Sequence, residues 1–265
     1  MKKYEMIPQE NGMFRIKSLI NISKFDIKIG DLGGLIEKES NLSQIENAWV
    51  HGNAQVYGDA WVHGNAQVSG NAQVSGDAWV YGDAQVHGNA QVYGDAQVYG
   101  DAQVYGNAQV HGNAQVYGDA QVYGDAWVHG NTQVSGNAWV SGDAQVYGDA
   151  QVYGNAQVYG DAWVYGNARV SGNAQVSGDA WVYGDAQVHG NAQVSGDAEI
   201  KISPICMINA CEWNITAYCN YIQVGCKLHT IQEWPEILES KVYKNLCKDY
   251  EKCVKIINLV IQMIS

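Results

Sequence analysis

A valine falls at every sixth position from Val50 to Val194 without a miss, 25 in all, and Ile200 holds the register. The unit reads Val, then Tyr, His or Ser, then Gly, then Asn or Asp, then Ala, then Gln or Trp. Thr132 in place of Ala and Arg169 in place of Gln are the departures within this block, and no insertion interrupts it. A repeat this strict decides the architecture before any other signal is weighed.

Six is an even number. Side chains alternate across a strand with period two, so Ala, Val and Gly stay on one face in every unit, and Gln/Trp, Tyr/His/Ser and Asn/Asp stay on the other. The inner face is small and apolar; the outer face is polar and aromatic. Gly followed by Asn or Asp marks a corner, because Gly tolerates positive φ and Asx side chains bond local backbone. A helix is excluded, since a Gly in every six residues costs roughly 1 kcal/mol each and leaves no stripe of period 3.6. One such strand cannot bury its valine alone. Stacked coils can, and they pair each backbone group with the coil above or below. The expected fold class is an all-β solenoid.

The units, as in Ala54-Gln55-Val56, resemble those of the hexapeptide-repeat proteins. The resemblance implies a left-handed parallel β-helix in which the aliphatic residue and the small residue two before it point inward. It also implies triangular coils of three hexads, hence about eight coils here. At about 4.8 Å per coil the rod would be roughly 40 Å long. A right-handed β-helix is the alternative, because periodicity alone does not set handedness.

Three segments follow: an N-terminal cap over 1–40, the repeat over 41–202, and an α+β C-terminal cap over 203–265 ending in a helix. Sheet edges at the ends of a solenoid invite aggregation and are expected to be covered. In the first segment Met13 to Ile20 reads as a strand and Gly30 to Gly34 as a turn; the latter lacks the Lys-Ser/Thr of a phosphate loop. Asn41 and Leu42 read as occupying the Asn and Ala slots of the repeat. This lead-in resembles that of a largely uncharacterised group of bacterial and prophage repeat proteins, some of them labelled acyltransferases. In the last segment Ile215–Ala217 and Tyr221–Val224 read as strands, and Thr230 with Glu233 as a capping box before Trp234. Leu246, Tyr250, Cys253, Ile257, Val260 and Ile264 form an apolar helical stripe, for packing on the last coil or for an oligomer seam. The cysteines are 206, 211, 219, 226, 247 and 253. Without paired zinc spacing or an export signal they read as buried free thiols.

The start, MKKYEMIPQENG, has no apolar core of a secretory signal, and no run of 18 apolar residues occurs, so a cytoplasmic protein with no membrane span is expected. The formal net charge is −12. Residues 45–198 hold 13 Asp, Glu46 and the single base Arg169, so all the acidity lies on the repeat. This argues against a nucleic-acid partner. With 18 residues per coil, Asp125, Asp143, Asp161, Asp179 and Asp197 stack in one column after Asn53, Asn71, Asn89 and Asn107. Such a column could ladder cations such as Ca²⁺, or each carboxylate could accept local backbone N–H bonds.

Resemblance to hexapeptide acyltransferases implies a His base and an acyl-CoA cleft between the subunits of a trimer, completed by loops that leave the coils. His111 and His129, stacked on adjacent coils, are the best candidates for a catalytic or metal pair. Six repeat histidines share their slot with Tyr and Ser, however, and no loop leaves the block. Seven Trp and 12 Tyr lie on the outer face. Trp61/Trp79 and Trp163/Trp181 fall on adjacent coils, either as a partner surface for a protein or glycan or as sheet-stabilising pairs. The reading is a rigid acidic scaffold that self-associates or forms a homo-oligomer and needs no cofactor. The alternative is an O- or N-acyltransferase using acetyl-CoA.

Overall fold

The computed structural model describes residues 2–201, 206–210, 213–218, 221–224, 227–239, 254–255, 257–258 and 261. Strands β1 (Tyr4–Pro8), β2 (Phe14–Ser18) and β3 (Leu32–Ile36) lead into 26 two-residue strands, β4 (Trp49–Val50) to β29 (Glu199–Ile200). Every repeat strand pairs in parallel with the strand one coil on, as Val50 with Val68 and Val182 with Ile200. Three sheets of 12, 9 and 8 strands result, which makes a parallel β-solenoid of about nine turns. The first face carries Gln55–Val56 and its equivalents down to β29, the second begins at Trp49–Val50, and the third at Trp61–Val62.

Each rung donates its N–H groups toward the next coil: Gln55 N to Ala72 O at 2.9 Å, Tyr57 N to Val74 O at 3.0 Å. Inside, every repeat valine and nearly every repeat alanine has no exposed surface. A fully buried Val contributes roughly 1.5–3 kcal/mol, so the rod is held by one continuous apolar column. Thr132 sits in an Ala slot, buried, with no partner for its hydroxyl.

The corners depend on glycine twice over. Gly124 has φ +74, and a Cβ there would lie 2.9 Å from the Gly142 nitrogen of the next coil. The left-handed conformation and the close approach of backbone to backbone both exclude a side chain.

The lead-in is out of step with the repeat. β3 joins the first face in parallel with β5 (Gln55–Val56), and Ile36 pairs with Val56 and Leu42 with Val62, 20 residues on instead of 18. Leu42 therefore fills a Val slot, not the Ala slot expected from counting in sixes. The extra residues lie between Leu42 and Trp49, where Ile45 is exposed and Glu46, at φ +66, takes the place of a corner glycine. Nor is Gly30 to Gly34 a turn throughout. Gly30 turns at φ +95, but Gly33 and Gly34 lie in β3, where a Cβ would meet Val50 at 2.5 and 2.4 Å.

Asn41 closes the end of the rod. Its buried carboxamide donates to Gly58 O at 3.0 Å and Ala60 O at 2.8 Å, two carbonyls with no coil beneath them. Glu46 accepts from Gly64 N at 2.6 Å. Lys3 is buried and donates to Ala48 O at 2.8 Å; burial pushes its pKa down to about 8, with Glu46 opposing. Tyr4 donates to Leu42 O at 2.7 Å and stands edge-on to buried Trp49.

Beyond the repeat, β30 (Cys206–Ala210), β31 (Trp213–Tyr218), β32 (Tyr221–Val224) and β33 (Lys227–Thr230) form an antiparallel sheet, with α1 at Trp234–Glu239. Two of these strands, β30 and β33, were not expected from the sequence. The capping box is present: Thr230 N donates to Glu233 at 2.9 Å and Glu233 N to the Thr230 hydroxyl at 3.3 Å. Trp234 is buried and donates to Ile222 O at 2.6 Å. Of the apolar helical stripe only Ile257 is described, helical and buried. The rest of it, and all cysteines but Cys206, lie outside the described residues. No helix among the described residues is long and apolar enough to cross a membrane.

Gly124→Ala is expected to lower stability by more than the roughly 1–2 kcal/mol of a left-handed alanine, since the contact adds to it. Gly196→Ala, at φ +65 but with open space around it, should lose only that conformational part. Thermal melts of the two variants side by side check the difference.

Candidate functional site

An 18-residue coil turns the outer positions into columns, and the candidate residues are best seen as members of these. Three kinds run along the rod: Asx at the corners, Gln or Trp in the strands, and Tyr, His or Ser just after them.

At the corners the asparagines bond along the rod, not to local backbone. Asn71 donates to Asn89 at 3.2 Å, Asn89 to Asn107 at 3.0 Å, and Asn107 to Asp125 at 2.8 Å. A carboxamide both donates and accepts, so each Asn relays to the next, and a carboxylate ends the run as acceptor. The pattern repeats at Asn131 to Asp149 and Asn167 to Asp185, both 2.9 Å. Past Asp125 the column changes character. Asp125, Asp143, Asp161, Asp179 and Asp197 are successive carboxylates with no donor among them. Asp161 has its pKa raised, by desolvation first and then by Asp143 and Asp179 on either side. Among the described residues no group of three or more His, Cys, Asp or Glu is arranged to hold a metal ion. The rank is a line of single carboxylates.

Two other Asp runs are met by cations. Lys38 pairs with Asp59 and Lys24 with Asp83, each the first carboxylate of its column. Both lysines come from the lead-in.

The rings form parallel stacks. His111 and His129 lie 4.9 Å apart at 5° within a column that runs Tyr93, His111, His129, Tyr147, Tyr165, Tyr183. A second stack runs His63, Tyr81, Tyr99, Tyr117, and a third His87, Tyr105, Tyr123. Burial lowers the pKa of His111 and His129, and the charge of His129 adds to the effect on His111. The two candidate histidines are thus brought together as rungs of a ring stack. Among the described residues no carboxylate orients them, as a catalytic imidazole would want.

Of the tryptophan pairs, Trp163 and Trp181 stack face to face at 5.0 Å and 2°. Trp61 and Trp79 meet edge-on instead, at 5.7 Å and 84°, because the Trp61 ring lies against His63 at 3.9 Å. Trp127, Trp163 and Trp181 share the first face with Tyr147, Tyr165 and Tyr183, and Tyr165 stands edge-on to Trp181 at 6.4 Å. The five-Asp rank borders the same strands, its members two residues before Trp127, Gln145, Trp163, Trp181 and Glu199. One half of one face therefore combines an aromatic surface with a line of negative charge.

Two expectations follow for charge. The imidazoles of His111 and His129 hold protons less readily folded than unfolded. Their contribution to stability is therefore whole above the unfolded pKa of about 6.5 and is lost as pH falls below it. Calorimetry should show a melting temperature lower at pH 5.5 than at 7.5, and the double variant His111→Tyr, His129→Tyr should shrink that drop. Asp161 works in the opposite direction, since its ionisation costs desolvation first and then repulsion from Asp143 and Asp179. Asp161→Asn puts a donor in the rank and should raise the melting temperature at pH 7 while weakening its dependence on salt.

Compared with known proteins, residues 54–70, 72–88, 96–112, 114–130, 133–148, 150–166, 162–176 and 174–190 match the family model described as YdcK beta solenoid repeat. Each matched segment is nearly one coil long. No curated protein matches the chain. The chain is a tandem-repeat β-solenoid protein, and its coils are similar to the YdcK beta solenoid repeat.

Proposed function

We propose that the chain is a rigid acidic scaffold whose aromatic columns meet a partner, either a second copy of itself or another protein or a glycan. On this reading it is a left-handed solenoid of the hexapeptide-repeat kind, works in the cytoplasm, and uses no cofactor. The observation that carries the reading is the unbroken register from Val50 to Ile200, in which every rung pairs with the one 18 residues on. No loop leaves the coils over that span to wall a cleft. What the rod offers instead is outward surface. Trp61, Trp79, Trp127, Trp139 and Trp181 are each 37–44% exposed, and exposed aromatics of this density favour contact with another molecule.

Acyl transfer is the competing reading, and it needs a cleft between subunits. Light scattering on the purified chain separates the two. Species that grow with concentration are expected for a scaffold that assembles through its faces or ends. A clean trimer that binds acetyl-CoA would overturn the scaffold reading in favour of acyl transfer.

A further inference from the structure

The ring column of the first face has a missing rung. Tyr57 and Tyr93 stand two coils apart, and the residue between them is Ser75. Filled rungs in these columns lie 4.7–5.1 Å apart, so the two rings bound a slot of about twice that height. The space is a notch of about 230 Å³ lined by Tyr57, Gln73, Ser75, Gln91 and Tyr93. A ring placed midway would have centroid distances on both sides within the usual 4.5–7 Å range of aromatic pairs.

The hydrogen bonding marks the same vacancy. The Tyr57 hydroxyl donates to the Gln73 Oε1 and the Tyr93 hydroxyl to the Gln109 Oε1, both at 3.3 Å, each Gln lying 16 residues on. Gln91 holds the matching place for position 75, and serine brings no phenolic hydroxyl to it. Both walls are fixed by their own hydroxyl bonds. The other serine gaps differ. Ser141 is buried where Trp139 leans toward Tyr123, Ser69 lies between His51 and His87, and Ser171 between Tyr153 and His189. Ser135 also stands between two tyrosines, Tyr117 and Tyr153, but the residue 16 beyond Tyr153 is Arg169 in place of Gln, and Tyr153 is 40% exposed.

From this we infer that the notch at Ser75 is a binding site for a single phenolic ring, which stacks between Tyr57 and Tyr93 and donates its hydroxyl to Gln91. The ring is either a free phenol or a tyrosine side chain presented by another chain; the chemistry is the same. The acidic rod disfavours a ring that carries phosphate or carboxylate.

Saturation-transfer NMR on the full chain tests this with p-cresol, toluene and N-acetyl-tyrosinamide. Saturable binding of p-cresol is expected, at least several-fold tighter than toluene. Ser75→Tyr fills the rung, and it should abolish binding while holding or raising the melting temperature, so loss of binding cannot be put down to unfolding. Gln91→Leu should bring p-cresol down to the level of toluene, and Ser177→Tyr, whose column has a ring on one side only, should change nothing. If N-acetyl-tyrosinamide binds better than p-cresol the ring comes from a peptide; the reverse order makes it a free phenol. Either order bears the inference out. Binding unaltered by Ser75→Tyr, or p-cresol held no better than toluene, would overturn it.

Discussion

The corner glycine sets the rest of the molecule. A chain that turns after every two-residue strand must take a left-handed conformation three times per coil, and successive coils bring those corners into backbone contact. Gly64 and Gly82 are an example: a Cβ on the first would lie 2.9 Å from the nitrogen of the second. The corner therefore fixes both the path of the chain and the spacing of the coils. Once those are fixed, the interior has room for one small and one branched side chain per edge, and Ala and Val meet that need at every level. The strict repeat follows from this geometry. A larger residue inside or a side chain at a corner would disturb the coil above as well as its own.

The same register turns sequence into columns, and columns make like meet like. For rings and carboxamides this is favourable, because a stack of tyrosines attracts and a row of asparagines relays hydrogen bonds. For carboxylates it is not. The chain handles the difference by composition along each column. Asparagine runs end on an aspartate that accepts without needing to donate, as at Asp125. Histidine enters ring columns as one more flat rung, and the burial that accompanies stacking holds it neutral.

Much of this was legible in the primary structure. The alternation within each hexad gave inside and outside, Gly-Asx gave the corners, and a coil of 18 put His111 on His129 and Trp163 on Trp181. Counting in sixes failed where the chain stopped counting in sixes. Leu42 was assigned an Ala slot, because nothing in its neighbours signals the wider bend that Glu46 makes beside it. The role of Asn41 as a substitute for missing backbone donors was equally hidden, since an asparagine before a repeat looks like any other corner. The strands at Cys206–Ala210 and Lys227–Thr230 carry no alternation and were found only in the fold. Ring orientation was out of reach for a similar reason. Trp61 and Trp79 are as well aligned in sequence as Trp163 and Trp181, yet His63 draws the Trp61 ring over and turns the pair edge-on.

The distribution of charge follows from how the N-terminal end is closed. Rungs donate toward the C-terminal end, so the first coil presents carbonyls, and the lead-in must bring donors. It does so with the Asn41 carboxamide and the Lys3 ammonium. The lead-in also carries cations past the end and onto the flank, where Lys38 and Lys24 reach the first aspartates of two columns. The third column begins with asparagines over this stretch and needs no cation there. Its carboxylates start only at Asp125, in the middle of the rod, beyond the reach of either lysine. The chain thus places aspartate near its own cap where the cap supplies a counter-charge. On the first face it leaves a longer rank, Asp125 to Asp197, bordered by aromatic rings and met by neither lysine of the lead-in. Repulsion along that rank is thus left without a counter-charge from the lead-in, which the other two columns receive at their first aspartates.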